Sequence, residues 1–420
     1  MPGRPPLREG FTTGSGAAAA AFAAVNRLLS PNSALASVQT ALPPFQTVNG
    51  QLCPQNETRL CIPVHSTQFR AQPPLAGARV IKDGGDDPDA TDGLILEVWA
   101  ATSARHLAGL PGLADVGHDY PIAGSALQLD GGVFLSTGRG VGRVTLPGLP
   151  VAPGEPAVNP EPRRQIAFAA REAALAAGHD GPIHLFLRVP EGEAAAAKTL
   201  NARLGILGGI SILGTRGTVR PYSHEAWQAT ISQGLDIARA LGLASAAFST
   251  GRNSEAALQR LFPELPPQSF IQAADYAGFS IASAGERDFR HLIWGCYPGK
   301  LLKLARGLEY THARSGPPDL PWLAELARQA GADAAAETLA GPSSGTTVRG
   351  AFELLEKTEP ALALNILKLV AKMALHTLRG WTAQAARPYR AGGPNTPPPR
   401  ITLCLFHNNH SLWLRTDTYG

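Results

Sequence analysis

Between residues 183 and 306 the chain repeats one pattern about four times: an apolar run with strand character, a Gly-rich or polar turn, then a helical stretch. Strand candidates are 183–189, 244–249, 270–274 and 291–294. Helix candidates are 193–204, 224–241 behind a Ser223 cap, a stretch ending at Ala284, and 301–306. This alternation predicts a mostly parallel sheet with helices on both faces. Ligand-binding loops in such sheets lie beyond the carboxyl ends of the strands. Four loops fall there: 214–216, 250–252, 275–276 and 295–300.

The part before this block reads as α+β. Its alanine-rich stretch, FTTGSGAAAAAFAAVNRLL at 11–29, is a strong helix former with Thr13 or Ser15 as cap. Its first N–H groups offer an anion a place, although an ordinary capped helix explains the same residues. Residues 31–79 alternate short apolar runs with Pro and polar turns, as strands do, and strands are expected to end at Ile81 and to run over 94–101. Between them lies KDGGDDPDATDG, 82–93, with Asp83, Asp86, Asp87, Asp89 and Asp92 crowded around two glycines. The spacing fails as a calcium loop, because Leu94 stands at the twelfth position. Such crowding is costly unless cations or N–H groups offset it.

Residues 131–136 begin a strand, and Gly138, Gly140 and Gly142 then imitate a dinucleotide fingerprint. Six prolines between 147 and 162 deny it the helix it needs, so that reading is rejected. Glycines at this density let a backbone approach something closely. Arg139, Arg143, Arg163 and Arg164 stand nearby, where a polycarboxylate could be gripped bidentately, and 166–177 is a short helix. Beyond 315 the chain is helical over 322–340 and 351–379, loop-like over 384–399, and ends in a hairpin of 401–406 and 412–415 around HNNH. His407 and His410 there read as a polar turn, and no metal site is assigned. The expected organisation is an α+β domain, 1–175, an α/β domain with a mostly parallel sheet, 176–345, and a helical extension with the hairpin, 346–420.

Composition narrows the classes. Lys plus Arg is 37 against 33 for Asp plus Glu, with no basic run, which argues against nucleic acid. Gly 45 and Pro 36 among 420 residues suit a loop-rich enzyme. Four scattered cysteines do not make a disulfide framework. The opening MPGRPPLREG has no apolar signal region, and the longest apolar run, 204–213, is too short to span a bilayer. A soluble, cytoplasmic protein with no membrane partner is expected. A homo-oligomer is compatible with the sequence, which does not fix the assembly. The chain has no G-x-S-x-G, H-E-x-x-H or G-x-x-x-x-G-K-[ST] motif. Cys296, at a strand end before a helix, is the one cysteine beside a candidate loop, yet it has no identifiable His partner.

Taken together, the motifs resemble one family. LREGFTTGSGAAAAA at 7–21 resembles the N-terminal signature of the CbiD family, nearer LREGYTTGTCAAAA there. The acidic loop 82–93, the glycine and proline segment 138–166, the segment KTLNARLGILGGISILGTRGTVRPYSHEAW at 198–227, GCYPGKLLKLA at 295–305 and the pair Thr311–His312 follow in the family's order. The sequence departs from the pattern at Ser15–Gly16, where many members have Thr-Cys, and at Ala273–Ala274–Asp275, where members tend to have Gly-Asn or Gly-Asp. The resemblance implies a cobalt-precorrin-5B C1-methyltransferase of the anaerobic route to cobalamin, with S-adenosyl-L-methionine as cofactor and the tetrapyrrole as substrate. The macrocycle is an electron-rich nucleophile, so the protein must chiefly align carbon, methyl and sulfur and exclude water. On that reading Gly208, Gly209, Gly214, Thr215 and Asp275 are the cofactor candidates. Asp83, Asp86, Asp87, Lys300 and His312 are the catalytic candidates, with Lys300 and Arg216 on substrate carboxylates. The alternatives are a Rossmann-like oxidoreductase and a non-catalytic tetrapyrrole-binding protein.

Overall fold

The computed structural model describes residues 6–107, 110, 126–313, 320–329, 331–340, 347–385 and 398–418. The chain forms two compact units, Met1–Ser223 and His224–Gly420.

The first unit is built on a six-stranded sheet in the order Ser66–Ala71, Pro74–Ile81, Ile95–Ala101, Ile183–Arg188, Val133–Thr137, Leu127–Leu129. Only Ile183–Arg188 and Val133–Thr137 run parallel. Alternation along the strands sorts the two faces. Leu185 and Leu187 join the alanines of Thr13–Leu29 and Pro160–Ala176 in one core, while Phe186 packs with Trp99 and Leu75 on the other side. Alanine keeps these two helices slim, so their backbones lie close to each other and to the sheet.

Several local expectations need correction. The cap of Thr13–Leu29 is Thr12, in extended conformation, whose side chain accepts from the N–H of Ser15. The N–H of Gly14 is taken by the carbonyl of Leu213 and that of Gly16 by Thr12 (3.1 and 3.0 Å), so this helix start has been closed by its own chain and is no anion site. The second helix begins at Pro160, earlier than expected, because proline is tolerated in a first turn. The helix expected over 193–204 is only Gly192–Ala196 followed by a 3-10 turn, Asn201–Leu204. Thr199 and Asn201 divert the backbone there: Thr199 donates to the carbonyl of Ala196 and Asn201 to that of Gly209. The boundary expected after residue 175 lies instead at 223, since Ile183–Arg188 is hydrogen-bonded on both sides within the first sheet.

The second unit carries a five-stranded sheet in the order Phe270–Gln272, Ser245–Ser249, His291–Cys296, Arg400–Phe406, Leu412–Asp417. The first four are parallel and the last is antiparallel. The mostly parallel sheet is thus found, but the expected C-terminal hairpin is part of it rather than an extension. Ala246, Phe248, Leu292 and Trp294 face one core, with Leu235, Ile281, Leu301 and Ile366 from four helices. Ala247 and Ile293 face the other, under the helix Arg252–Leu261. Helix Pro360–Ala385 is long and apolar enough to cross a membrane. Its residues Ala363, Ile366, Leu367, Val370, Ala371, Ala374 and Leu378, 0–1% exposed, recur at helical spacing and face this core, the pattern of a packed internal helix. The loop expected over 384–399 lies almost wholly outside the described residues. All four cysteines are free.

Candidate functional site

In the first unit three separated stretches of chain meet. Strand Gly10–Phe11 pairs with Thr218–Val219, and the N–H of Phe11 donates to the carbonyl of Asp83 (2.9 Å). A Cβ at Gly10 would lie 2.3 Å from that same oxygen, so glycine is required for the approach.

The acidic loop is offset by one cation of its own, one from outside it and several backbone N–H groups. Lys82, 1% exposed, pairs with Asp89 at 2.8 Å. Burial alone would raise the Asp89 carboxyl, but Lys82 and the two hydrogen bonds from Thr91 outweigh it and hold it below its ordinary value. Asp83 pairs with Arg8 and accepts from the N–H of Gly85, and the Arg8 hydrogen bond leads the lowering of its carboxyl. Asp86 accepts from the backbone N–H of Arg8 (2.7 Å), Asp87 from that of Tyr222 (2.9 Å) and Asp92 from that of Gly84 (2.7 Å). The three aspartates singled out in the sequence therefore brace the segments around residues 8 and 222. One oxygen each of Asp86 and Asp87 has no bond among the described residues.

The glycines mostly serve the chain itself. A Cβ on Gly140 would lie 1.8 Å from the carbonyl oxygen of Val189, and one on Gly209 2.3 Å from the backbone of Gly140. Gly214 is closed by the side chain of Thr12. Gly208 alone among the cofactor glycines faces open space, at φ +77°, and Thr215 and Arg216 are exposed. Of the four arginines, Arg163 pairs with Glu155 and Arg164 with Glu161, Arg143 donates to the carbonyl of Gly154, and Arg139 is exposed beside a polar cavity.

In the second unit the strand order, counted along the chain, is 2-1-3-4-5. The direction of the connections reverses between Ser245–Ser249 and His291–Cys296, the place where ligands bind in open sheets of this kind. A cavity of about 1070 Å³ opens there, lined by Thr250–Ser254 after the first of these strands and by Tyr297, Gly299, Lys300, Lys303 and Arg306 after the second. Three of the four expected strand-end loops thus belong to this sheet, and 214–216 belongs to the other unit. Helix Pro298–Ala305 starts at Pro298, in its first turn, and presents Lys300 to the cavity.

Lys300 forms an ion pair with Asp275 and donates to the carbonyl of Thr311 at 3.0 Å. Burial, with Lys303 adding to it, pushes its ammonium down to about 8, while contact with a carboxylate favours the charged form. Thr311 returns its own N–H to the carbonyl of Asp275 (2.8 Å). His312 stacks on Tyr310 with ring centroids 5.8 Å apart, and its carbonyl accepts from Lys303. Cys296 is fully buried, and burial pushes its thiol up. His410 is hydrogen-bonded through Nδ1 to the Tyr297 hydroxyl (2.8 Å), and His407 stacks on Trp413.

A family model described as CbiD matches residues 2–221, and one described as CbiD, C-terminal domain, matches residues 310–389. The chain belongs to the CbiD family. A protein of Nitratidesulfovibrio vulgaris named cobalt-precorrin-5B C(1)-methyltransferase is 46% identical over 97% of this chain and 92% of its own length. One of the same name from Geobacillus kaustophilus is 38% identical over 78% of each. A crystal structure of the cobalamin biosynthesis protein (cbiD) from Archaeoglobus fulgidus is 26% identical, covers 71% of this chain and 79% of that one, and has a TM-score of 0.34.

Both departures from the CbiD signatures can now be read structurally. Ser15 is buried, donates to the carbonyl of Gly217 (2.8 Å) and accepts from Gln165 (3.0 Å), so its hydroxyl ties helix to loop. In the segment Ala273–Ala274–Asp275, Ala274 sits at φ +48°. Sequence reasoning gave no role to Arg8, Lys82 or Tyr222 in the first unit, nor to Arg252, Tyr297, Lys303, Arg306 and Arg349 around the cavity. Arg252 stood in a loop already singled out, but nothing local to Arg349 marks it as a cavity residue.

Proposed function

We propose that this chain transfers a methyl group to C-1 of cobalt-precorrin-5B in cobalamin biosynthesis, with S-adenosyl-L-methionine as donor. The observation that carries the reading is the 46% identity, along 97% of the chain, to a protein bearing the name of that activity. The cavity of the second unit supports it. It lies at the sheet's topological switch point and is large enough for a macrocycle, against roughly 300–1,000 Å³ for small-molecule sites generally. Lys300 is read as a cation for a substrate carboxylate, with Asp275 holding it in place.

The five cofactor candidates do not make one preformed cradle within either unit. Gly209 and Gly214 are filled by their own chain, Gly208 and Thr215 are open, and Asp275 is engaged by Lys300 in the other unit. No step is assigned to them. Asp83, Asp86 and Asp87 are read as positioning residues that fix the segments around residues 8 and 222. A carboxylate aimed at the sulfonium would stabilise the ground state and slow transfer, so neutralising sulfur is not their task.

The test is an anaerobic incubation of the purified chain with cobalt-precorrin-5B and methyl-labelled S-adenosyl-L-methionine. One labelled methyl at C-1, located by NMR, is the expected result. Binding of the tetrapyrrole without methylation would instead make the chain a carrier.

A further inference from the structure

The cavity of the second unit has one sign of charge. Arg252, Lys300, Lys303, Arg306 and Arg349 line it, and among the described residues no Asp or Glu does. Like charges gathered around one space repel one another, and a low-dielectric wall focuses their field on whatever enters. The five are not equally committed. Lys300 is held by Asp275, Lys303 donates to the carbonyl of His312, and the Arg306 guanidinium lies 6.0 Å from the centre of the Trp322 ring. Arg349 has an exposed pair with Glu353 one helical turn on, a contact that water screens. Arg252 has no partner among the described residues and is exposed.

The backbone adds to the same sign. Helices Arg252–Leu261 and Pro298–Ala305 both begin at this cavity, and neither has a side-chain cap. Their positive ends are therefore not offset by a capping oxygen. Leu302, Leu308, Pro321 and Val348 supply apolar wall between the cations. Apolar wall with a cationic rim suits a flat apolar body carrying several carboxylates. It does not suit the methyl donor, whose sulfonium and ammonium would be repelled.

We infer that this cavity grips the carboxylate arms of the tetrapyrrole, with Arg252 and Arg349 as anchors and the number of carboxylates as the property selected. The identity of the ligand rests on the methyltransferase reading, while the preference for polycarboxylates rests on the cavity alone. A guanidinium meets a carboxylate through two parallel N–H donors, so Gln at either position loses both charge and geometry.

The full chain is titrated with an octacarboxylate, a tetracarboxylate and a dicarboxylate porphyrin, read by porphyrin fluorescence, alongside R252Q, R349Q and the double variant. Affinity should fall from the octacarboxylate to the tetracarboxylate to the dicarboxylate, each single variant should weaken the octacarboxylate about tenfold, and the double variant should lose the gradient. Calorimetric affinity for S-adenosylhomocysteine should stay unchanged in all three variants. Equal affinity for the three porphyrins, a gradient that survives the double variant, or tighter binding of inorganic pyrophosphate than of the octacarboxylate would overturn the inference. Methyl transfer by the parent chain is measured in parallel. A gradient without methylation rejects the enzymatic reading and leaves the cavity assignment standing, and methylation without a gradient does the reverse.

Discussion

The backbone N–H of Tyr222, a residue at φ +58°, donates a 2.9 Å hydrogen bond to the carboxylate of Asp87, 135 positions earlier in the chain. A bulky residue in the left-handed region costs about 1–2 kcal/mol. The carboxylate offsets that strain, since a hydrogen bond to a charged group contributes about 1.5–3 kcal/mol. Asp87→Ala should therefore destabilise the first unit by about 1–2 kcal/mol. Tyr222→Gly in the same background should recover part of it, as read by urea denaturation. No recovery would mean that Tyr222 is not strained.

Gly208 and Gly209 are neighbours with opposite tolerances. At Gly209 a Cβ would press into the backbone of Gly140, and at Gly208 it would meet nothing within 4 Å. Gly209→Ala should lower the melting temperature by more than Gly208→Asn, and asparagine is among the residues that accept positive φ. Equal melting curves would contradict the close crossing of the two chain segments.

Ala274 at φ +48° occupies a position where glycine has no steric penalty. Ala274→Gly should stabilise the second unit by about 0.5–1 kcal/mol, less the greater freedom that glycine gives the unfolded chain. A lower melting temperature would show that the turn around Ala274 is held by something the backbone angle does not reveal.

Anion binding in the second unit should depend on pH through Lys300. Its ammonium loses its proton near pH 8, so octacarboxylate affinity should be flat from about pH 6, where the ligand's carboxylates are ionised, to about 8 and weaken above it. The folded value lies under the unfolded one of 10.5, so the unfolded chain holds more protons between the two. This group should therefore make stability rise with pH through that window. Lys300→Gln should remove the inflection in binding and leave S-adenosylhomocysteine affinity nearly intact.

Asp86 accepts the Arg8 N–H with one oxygen and keeps the other open. Asp86→Asn retains an acceptor there and removes the charge. Turnover should drop at least tenfold, about 1.4 kcal/mol of transition-state stabilisation, with the melting temperature within a few degrees of the parent. Single-turnover methyl transfer at saturating ligands decides it, and an unchanged rate would mean that a neutral acceptor holds the Arg8 segment as well as the carboxylate does.

Local chemistry was legible in the sequence, and partners were not. The alanine run announces a helix, yet whether Thr12, Thr13 or Ser15 caps it depends on which residue turns extended. Glycines at 138, 140 and 142 announce a close approach, but the approaching groups, Phe186, Val189 and Gly209, come from distant positions. Strand Ile183–Arg188 looks the same in either sheet, because alternation fixes the faces and not the neighbour. Likewise Arg252 and Arg349 share a cavity only because helix Val348–Thr358 folds back beside the strand ends. Carboxylates 83, 86 and 87 stood out as a cluster, while the N–H groups that occupy them belong to the anonymous backbone of Arg8, Gly85 and Tyr222.

Strand Arg400–Phe406 pairs with His291–Cys296 although more than a hundred residues separate Leu292 from its partner Ile401. All the strands of the first unit's sheet lie before residue 223, whereas in the second unit one edge of His291–Cys296 stays unpaired until Arg400–Phe406 has been made. Non-local pairing of this kind is slow, and an open strand edge invites association with other chains. The second unit is thus the one that a stalled ribosome or a stop before residue 400 would leave with an open edge, and the one for which a chaperone would matter.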